Sequence, residues 1–157
     1  MNLKDLKLII FDFDGVFTDN KVIVSEDGKE SVVCNRSDGI GLSMLKNLGI
    51  ELMILSTEVN SVVQKRADKL KIKCYHGVEN KLLKFQELCK DYRLNEVAFV
   101  GNDINDIVLL EKVGVSVAVN DAYEPVKKIC NIILKKNGGE GAVREFCEMV
   151  YKAKEEI

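Results

Sequence analysis

Residues Leu6–Asp19 read LKLIIFDFDGVFTD, an apolar run that ends in carboxylates. A continuous stretch of Leu, Ile and Phe suits a strand buried on both faces, as in the middle of a parallel sheet. Asp12 and Asp14 stand two apart at its end, so an extended backbone would send both from the same face. Unpaired carboxylates in such a place are costly to desolvate and invite a cation. An Asp-Gly turn, with Asp14 and Asp19 only capping loops, is the plainer alternative. An EF-hand calcium loop fails, because Phe17 stands where that loop needs glycine.

Outward from this strand the apolar pattern alternates. Ile50–Leu55 (IELMIL), Ile72–Tyr75 (IKCY), Glu96–Val100 (EVAFV) and Val115–Val119 (VSVAV) are further short apolar runs. Between them lie helical stripes: Leu42, Leu45 and Leu48; Val59, Val62, Val63, Ala67 and Leu70; Leu82, Phe85, Leu88 and Tyr92. A last helix carries Ala142, Val143, Phe146, Cys147, Val150 and Tyr151 after the loop NGGEG. Strands alternating with helices predict an α/β fold, a Rossmann-like doubly wound parallel sheet with right-handed crossovers. One segment breaks the rhythm: Lys21–Cys34 (KVIVSEDGKESVVC) has two β-rich arms around a turn and predicts a protruding β-hairpin.

The 157 residues leave room for one domain, residues 1–157. With 23 basic and 25 acidic residues and no long run of either sign, nucleic acid is not an expected partner. No stretch approaches the ~20 apolar residues that span a bilayer, and the start MNLKDLKLIIFDF lacks the pattern of a signal peptide, so a cytoplasmic protein with no membrane partner is expected. Five scattered cysteines without a CxxC, and the single His76, make no zinc site. All five are read as buried small apolar residues. The glycines of NGGEG lack the Lys-Ser/Thr of a P-loop and read as a helix cap and turn.

In an open α/β sheet ligands bind at the carboxyl ends of the strands. There the chain resembles the haloacid dehalogenase superfamily of phosphohydrolases. The residues that carry the likeness are D-x-D-G-x-x-T-D at Asp12–Asp19, Ser56 in MILSTE, Lys81 in GVENKLL, and Asp103 and Asp106 in GNDIND. Asn102 departs from the aspartate usual at its position. The resemblance implies a phosphomonoesterase in which Asp12 is the nucleophile and forms an aspartyl-phosphate, while Asp14 protonates the leaving alcohol and then activates water. It also implies Mg²⁺ held by Asp12, the Asp14 carbonyl and the Asn102 side chain, with Asp103 compensating for the missing charge. Ser56 would bind a phosphoryl oxygen, Lys81 would add positive charge, and Asp103 and Asp106 would orient their neighbours. Taken singly, Ser56 reads equally as a helix N-cap and Lys81 as a solvated helix face.

No cap domain fits between these motifs, so solvent exclusion is expected from neighbouring subunits packed through the hairpin. Within the superfamily the chain is most similar to the small capless phosphatases of 3-deoxy-2-ulosonate biosynthesis, which implies a homotetramer and a sugar-acid phosphate substrate. Features that match are FDFDGVFTD, the hairpin, NRSDGIG, the run from STE to KRADKLKI, GNDIND and KKNGGEGAVREF. Glu58 in STE resembles the nine-carbon branch, where the octulosonate branch usually carries Arg as T-G-R, and this likeness favours a sialic-type acid 9-phosphate over 3-deoxy-D-manno-octulosonate 8-phosphate. A free carboxylate there would repel a substrate carboxylate but could accept from hydroxyl or amide groups of a longer sugar. Thr57, Arg66, Lys69 and Arg144 are the further candidates for substrate contact; Arg66 and Lys69 share a helix face and could share one anion, or could simply be solvated. Asn102 also leaves open a catalytically weak oligomerisation module, like the domain fused to acylneuraminate cytidylyltransferases.

Overall fold

A computed structural model describes residues 1–156. The first strand, β1 (Leu8–Phe11), is followed by the hairpin strands β2 (Ile23–Val24) and β3 (Glu30–Ser31) and by helix α1 (Ser37–Asn47). The chain then alternates: β4 (Glu51–Leu55), α2 (Val62–Leu70), β5 (Lys73–Tyr75), α3 (Lys81–Leu88), β6 (Val97–Gly101), α4 (Ile107–Leu110), β7 (Val115–Ala118), α5 (Glu124–Ile129), β8 (Ile132–Ile133) and α6 (Ala142–Glu155). Six strands form one parallel sheet in the order β5-β4-β1-β6-β7-β8, and β2 and β3 pair apart from it. The expected sheet is therefore present with one strand more, since the two-residue β8 gives no readable apolar run.

β1 lies in the middle because it is apolar throughout: Leu8, Ile9, Ile10 and Phe11 are fully buried, as the unbroken run requires. It pairs with β4 on one side and β6 on the other, Phe11 facing Ile54 and Val100. The order steps outward from β1 to β5, then returns to β6 on the far side. With right-handed crossovers, that reversal puts α1 and α2 on one face and α3, α4 and α5 on the other. It also opens a crevice at the carboxyl ends of β1, β4 and β6.

α6 packs against α1. Gly41 allows the close approach, since a Cβ there would stand 2.9 Å from the Cys147 Cβ. Beyond Phe11 the chain leaves the sheet and turns at Gly15, whose φ of +79° is open to glycine at little cost. Phe13 and Phe17 anchor this turn in the core, Phe17 at 5.4 Å from Phe11 and 5.8 Å from Phe13 between ring centroids.

The hairpin extends from an antiparallel bridge between Thr18 and Cys34 and is paired at only two positions per arm. No helix among the described residues is long and apolar enough to cross a membrane. The cysteine expectation holds in part: all five thiols are free, but only Cys89 and Cys147 are buried. Cys34, Cys74 and Cys130 are half-buried: Cys34 at the bridge that begins the hairpin, Cys74 in the edge strand β5, and Cys130 just after α5.

Candidate active site

A small polar cleft of about 90 Å³ opens at the carboxyl ends of β1, β4 and β6. Asp12, Asp14, Asn20, Ser56, Thr57, Asn102, Asp103 and Asn105 line it. Asp12 is the residue that follows β1, and its N–H still donates to Val100 of β6 at 3.0 Å. Its Oδ1 accepts the Phe13 N–H at 2.8 Å. Asp14 begins the turn, and the bend at Gly15, rather than an extended strand, keeps both carboxylates in the cleft.

Lys81 reaches them from the first turn of α3, where Asn80 caps the helix by accepting the Leu83 N–H at 3.0 Å. Its ammonium lies 3.2 Å from Asp12 Oδ1 and 2.8 Å from Asp106 Oδ1. Asp106 is wholly buried, and its other oxygen accepts the Asn102 N–H at 3.1 Å. One carboxylate thus fixes both the lysine and the backbone of the residue that faces Asp12. Gly101 makes room for it, since a Cβ there would stand 2.7 Å from Asp106 Oδ2.

Ser56 follows β4 and is 2% exposed. Its Oγ accepts the Glu58 N–H at 3.1 Å, which leaves the hydroxyl proton free to donate into the cleft. It is therefore a turn cap pointing at the site and not the N-cap of α2, which begins at Val62.

Burial first, and the Asp106 carboxylate second, push Asp12 up to about 7 despite Lys81 and the Phe13 N–H. Burial, then Glu58 and Glu30, also raises Asp14 above the ordinary carboxylate range. Lys81 is disfavoured by burial, but Asp12 and Asp106 outweigh this and hold its ammonium above the usual lysine value. The cleft is thus short of positive charge, with the one Lys81 ammonium among the carboxylates of Asp12, Asp14, Asp103 and Asp106.

The donor set fits a hard divalent cation. Asn102 Oδ1 is buried and has no hydrogen-bond partner, although it belongs to a side chain wedged against Gly15. An orphaned acceptor beside a charge-poor carboxylate is what an oxygen-ligated cation would satisfy. No group of three or more His, Cys, Asp or Glu converges on one point among the described residues, so the amide oxygen and a backbone carbonyl are needed to complete such a site. Asp103 is half-buried at the rim, and its Oδ1 accepts its neighbour Ile104 N–H at 2.7 Å.

The family of haloacid dehalogenase-like hydrolases matches residues 56–146. The chain belongs to that family. The 3-deoxy-D-manno-octulosonate 8-phosphate phosphatase of Escherichia coli K12 is 34% identical over 153 residues, 96% of this chain and 81% of the relative. A HAD family hydrolase from Streptomyces avermitilis is 38% identical with a TM-score of 0.91, covering 94% of this chain and 86% of the other. The octulosonate 8-phosphate phosphatase of Moraxella catarrhalis, solved with magnesium, phosphate and KDO, is 33% identical with a TM-score of 0.93, covering 98% and 90%. A subfamily III A hydrolase from Legionella pneumophila is 34% identical with a TM-score of 0.95, covering 98% and 86%. This chain carries only the hairpin, α1 and β4 between Asp14 and Ser56, and only α2 and β5 between Ser56 and Lys81. It is a capless member.

The candidates for the rest of a substrate are not gathered in this cleft. Thr57 is at its edge and exposed. Glu58 is not the free carboxylate expected, because its Oε1 accepts the Asn60 N–H at 2.9 Å and closes the turn into α2. Arg66 and Lys69, with Arg36, line two other basic grooves, one between α1 and α2 and one between α2 and the base of the hairpin. Arg66 donates to the Asn35 carbonyl at 3.3 Å, and its Nε is buried without a partner. Arg144 is taken up in the α1–α6 seam, bonded to Glu148 at 2.7 Å and to the Ser37 carbonyl at 3.3 Å. Asn20 and Asn105 also line the cleft and were not singled out from the sequence: Asn20 directly follows the first motif, and Asn105 lies inside GNDIND between the carboxylates that drew the reading.

Proposed function

We propose that this chain is a Mg²⁺-dependent phosphomonoesterase acting on a 3-deoxy-2-ulosonic acid phosphate, with the eight-carbon acid 8-phosphate as first substrate. The observation that carries the reading is Asp12 buried against Lys81 at 3.2 Å, with Asp14, Ser56 and the unpartnered Asn102 oxygen around one opening. Asp12 attacks phosphorus, breaking the bond to the sugar oxygen and giving an aspartyl-phosphate. Asp14, raised by burial, gives its proton to the leaving alkoxide and takes one back from the water that cleaves the intermediate. Ser56 donates to a phosphoryl oxygen, and Lys81 offsets a repulsion of about 4 kcal/mol per charge pair at 4 Å and an effective dielectric of 20. Asp12, Asn102 and the Asp14 carbonyl would hold Mg²⁺, which when bound supplies the further positive charge the cleft lacks. Asp103 assists from the rim, and Asp106 orients Lys81 and Asn102.

The likeness to octulosonate 8-phosphate phosphatases and the tethering of Glu58 together move the eight-carbon acid ahead of the nine-carbon one. The remainder of the sugar acid needs a second wall. Val22, Ile23, Val24 and Val33 are 51–63% exposed on a two-stranded ribbon that could not be stable alone. We read this ribbon as the contact through which further copies of the chain, as a homotetramer, cover the cleft, and Arg66, Lys69 and Arg144 as groups that would meet the sugar carboxylate across that boundary. The test is phosphate release from the octulosonate 8-phosphate and from nine-carbon acid 9-phosphates, with and without Mg²⁺. A higher kcat/KM for the eight-carbon substrate is expected; preference for the nine-carbon acids would reverse the assignment.

A further inference from the structure

Asp121 and Gly138 stand outside the cleft and take no part in the chemistry above, yet they are joined to both of its halves. The loop that leaves β7, residues 119–123, donates the Tyr123 N–H to the Asn102 carbonyl at 3.0 Å. Two residues earlier, Asp121 Oδ1 accepts the Gly138 N–H at 2.9 Å. Asn120 fixes the flanks, its N–H on the Lys136 carbonyl at 3.0 Å and its amide on Asn137 Oδ1 at 2.8 Å.

Gly138 in turn lies directly on the carboxylate loop. A Cβ built there would overlap the Gly15 carbonyl oxygen and come within 2.8 Å of the Thr18 carbonyl oxygen. Gly139, with φ of +75°, donates to the Val16 carbonyl at 3.2 Å and has no room for a side chain against the Asp19 nitrogen. Gly15 itself has no space for a Cβ because the Asn102 amide fills that place. The path closes on itself, from Asn102 through Tyr123, Asp121, Gly138 and Gly15 back to Asn102.

We propose that Asp121 and Gly138 are positioning residues, a clamp that sets the separation between the Asp12–Asp14 loop and Asn102. Every other contact around the ring is backbone against backbone or a side chain in van der Waals contact. The Asp121 carboxylate is the one charged acceptor that ties the glycine loop to the β7 loop end, beside the neutral amide pair of Asn120 and Asn137. The Asn120 bonds hold the loop only as far as Asn137, so releasing Asp121 lets Gly138 lift and the Gly15 carbonyl follow, which spreads the oxygens that face each other across the cleft. Sites of this kind lose rate steeply for displacements of an ångström or less.

The activity readout rests on the phosphatase reading, while the clamp itself does not, so the experiment carries two readouts. Asp121→Ala, Asp121→Asn and Gly138→Ala are compared with the unsubstituted chain for kcat and KM of phosphate release, for Mg²⁺ affinity by calorimetry, and for thermal midpoint. Asp121 is exposed, so its alanine variant folds. Expected is a fall of about tenfold in kcat and a severalfold weaker Mg²⁺ affinity for Asp121→Ala, with KM within about twofold and little change in midpoint. Asp121→Asn, which keeps an oxygen acceptor, restores most of both, and Gly138→Ala falls further than Asp121→Ala. Unchanged kcat and Mg²⁺ affinity in Asp121→Ala, or an Asp121→Asn as impaired as the alanine variant, overturns the clamp. If the unsubstituted chain binds Mg²⁺ but releases no phosphate, the phosphatase reading falls and the Mg²⁺ affinities alone decide the clamp; a chain that does neither overturns both.

Discussion

The Lys81 ammonium is held more closely by Asp106, at 2.8 Å, than by Asp12, at 3.2 Å. Asp106 is fully buried, so the lysine is anchored by a carboxylate that substrate never meets and is presented to one that faces the cleft.

Removing that ammonium leaves Asp106 buried without its cation. Breaking a buried pair from one side costs about 3 kcal/mol or more, because the remaining charge is uncompensated. Lys81→Met is therefore expected to lower the thermal midpoint and to reduce kcat by about 10²-fold or more. Thermal denaturation and steady-state phosphate release measure the two effects. A variant that keeps the wild-type midpoint contradicts the anchoring role of Asp106.

Asn102 supplies an amide oxygen where a charged one is usual in the superfamily. Asn102→Asp adds a negative charge beside Asp12, and the affinity of oxygen sites for divalent cations rises with ligand charge. The Mg²⁺ concentration for half-maximal activity should fall by about an order of magnitude. A metal titration followed by phosphate release measures it, and an unchanged or higher requirement would remove Asn102 from the ligand set.

Asp38, in the first turn of α1, accepts the Arg144 N–H at 3.1 Å and so caps α6 across the interface, while its Oδ2 is buried without a partner. Burial pushes it up to about 6, and the Arg144 N–H and the Arg66 and Arg144 charges do not overcome this. Because the folded value lies above the ordinary 3.8, the folded chain binds the proton more tightly, and stability declines as pH rises from 3.8 to about 6. Asp38→Asn keeps an acceptor and loses the charge. The midpoint of the variant relative to wild type should rise across that window and level off above it. A difference that is flat with pH, or that falls, contradicts this assignment.

The chain order of strands and helices was legible because each main strand is a continuous apolar run and each long helix carries one stripe. α4, of four residues, and α5, of six, were not, since neither completes two turns of periodicity. Asp12 and Asp14 stood out as carboxylates ending an apolar strand, whereas Ser56, Lys81, Asn102 and Asp106 drew notice only because they occupy the superfamily's motif positions in order; the fold brings Asp12, Asp14, Ser56 and Asn102 to one cleft, with Lys81 and Asp106 bonded behind it. Asp38 and Asp121 could not: their partners Arg144 and Gly138 are 106 and 17 residues away, and a carboxylate beside glycine or in a loop looks the same whether it caps a distant helix or a turn. The use of Glu58 was hidden for a related reason, as its own turn competes with the ligand for its oxygen.

The exposed arms of the hairpin carry the assembly reading. Ile23→Asp puts a charge on an apolar ribbon that a second copy would bury, at a position 59% exposed in the single chain. Light scattering should show a shift from tetramer toward monomer, with far-ultraviolet circular dichroism unchanged. A monomeric wild type would contradict the reading, as would a variant of unaltered mass.

Asp12 as the nucleophile of a metal-dependent phosphatase is tested most directly by phosphate release from octulosonate 8-phosphate by wild type and Asp12→Asn, each with and without Mg²⁺. Turnover in the wild type should require Mg²⁺ and disappear in Asp12→Asn, while that variant keeps its fold and oligomeric state. Release that persists in Asp12→Asn, or a folded wild type that releases none in the presence of Mg²⁺, would contradict it.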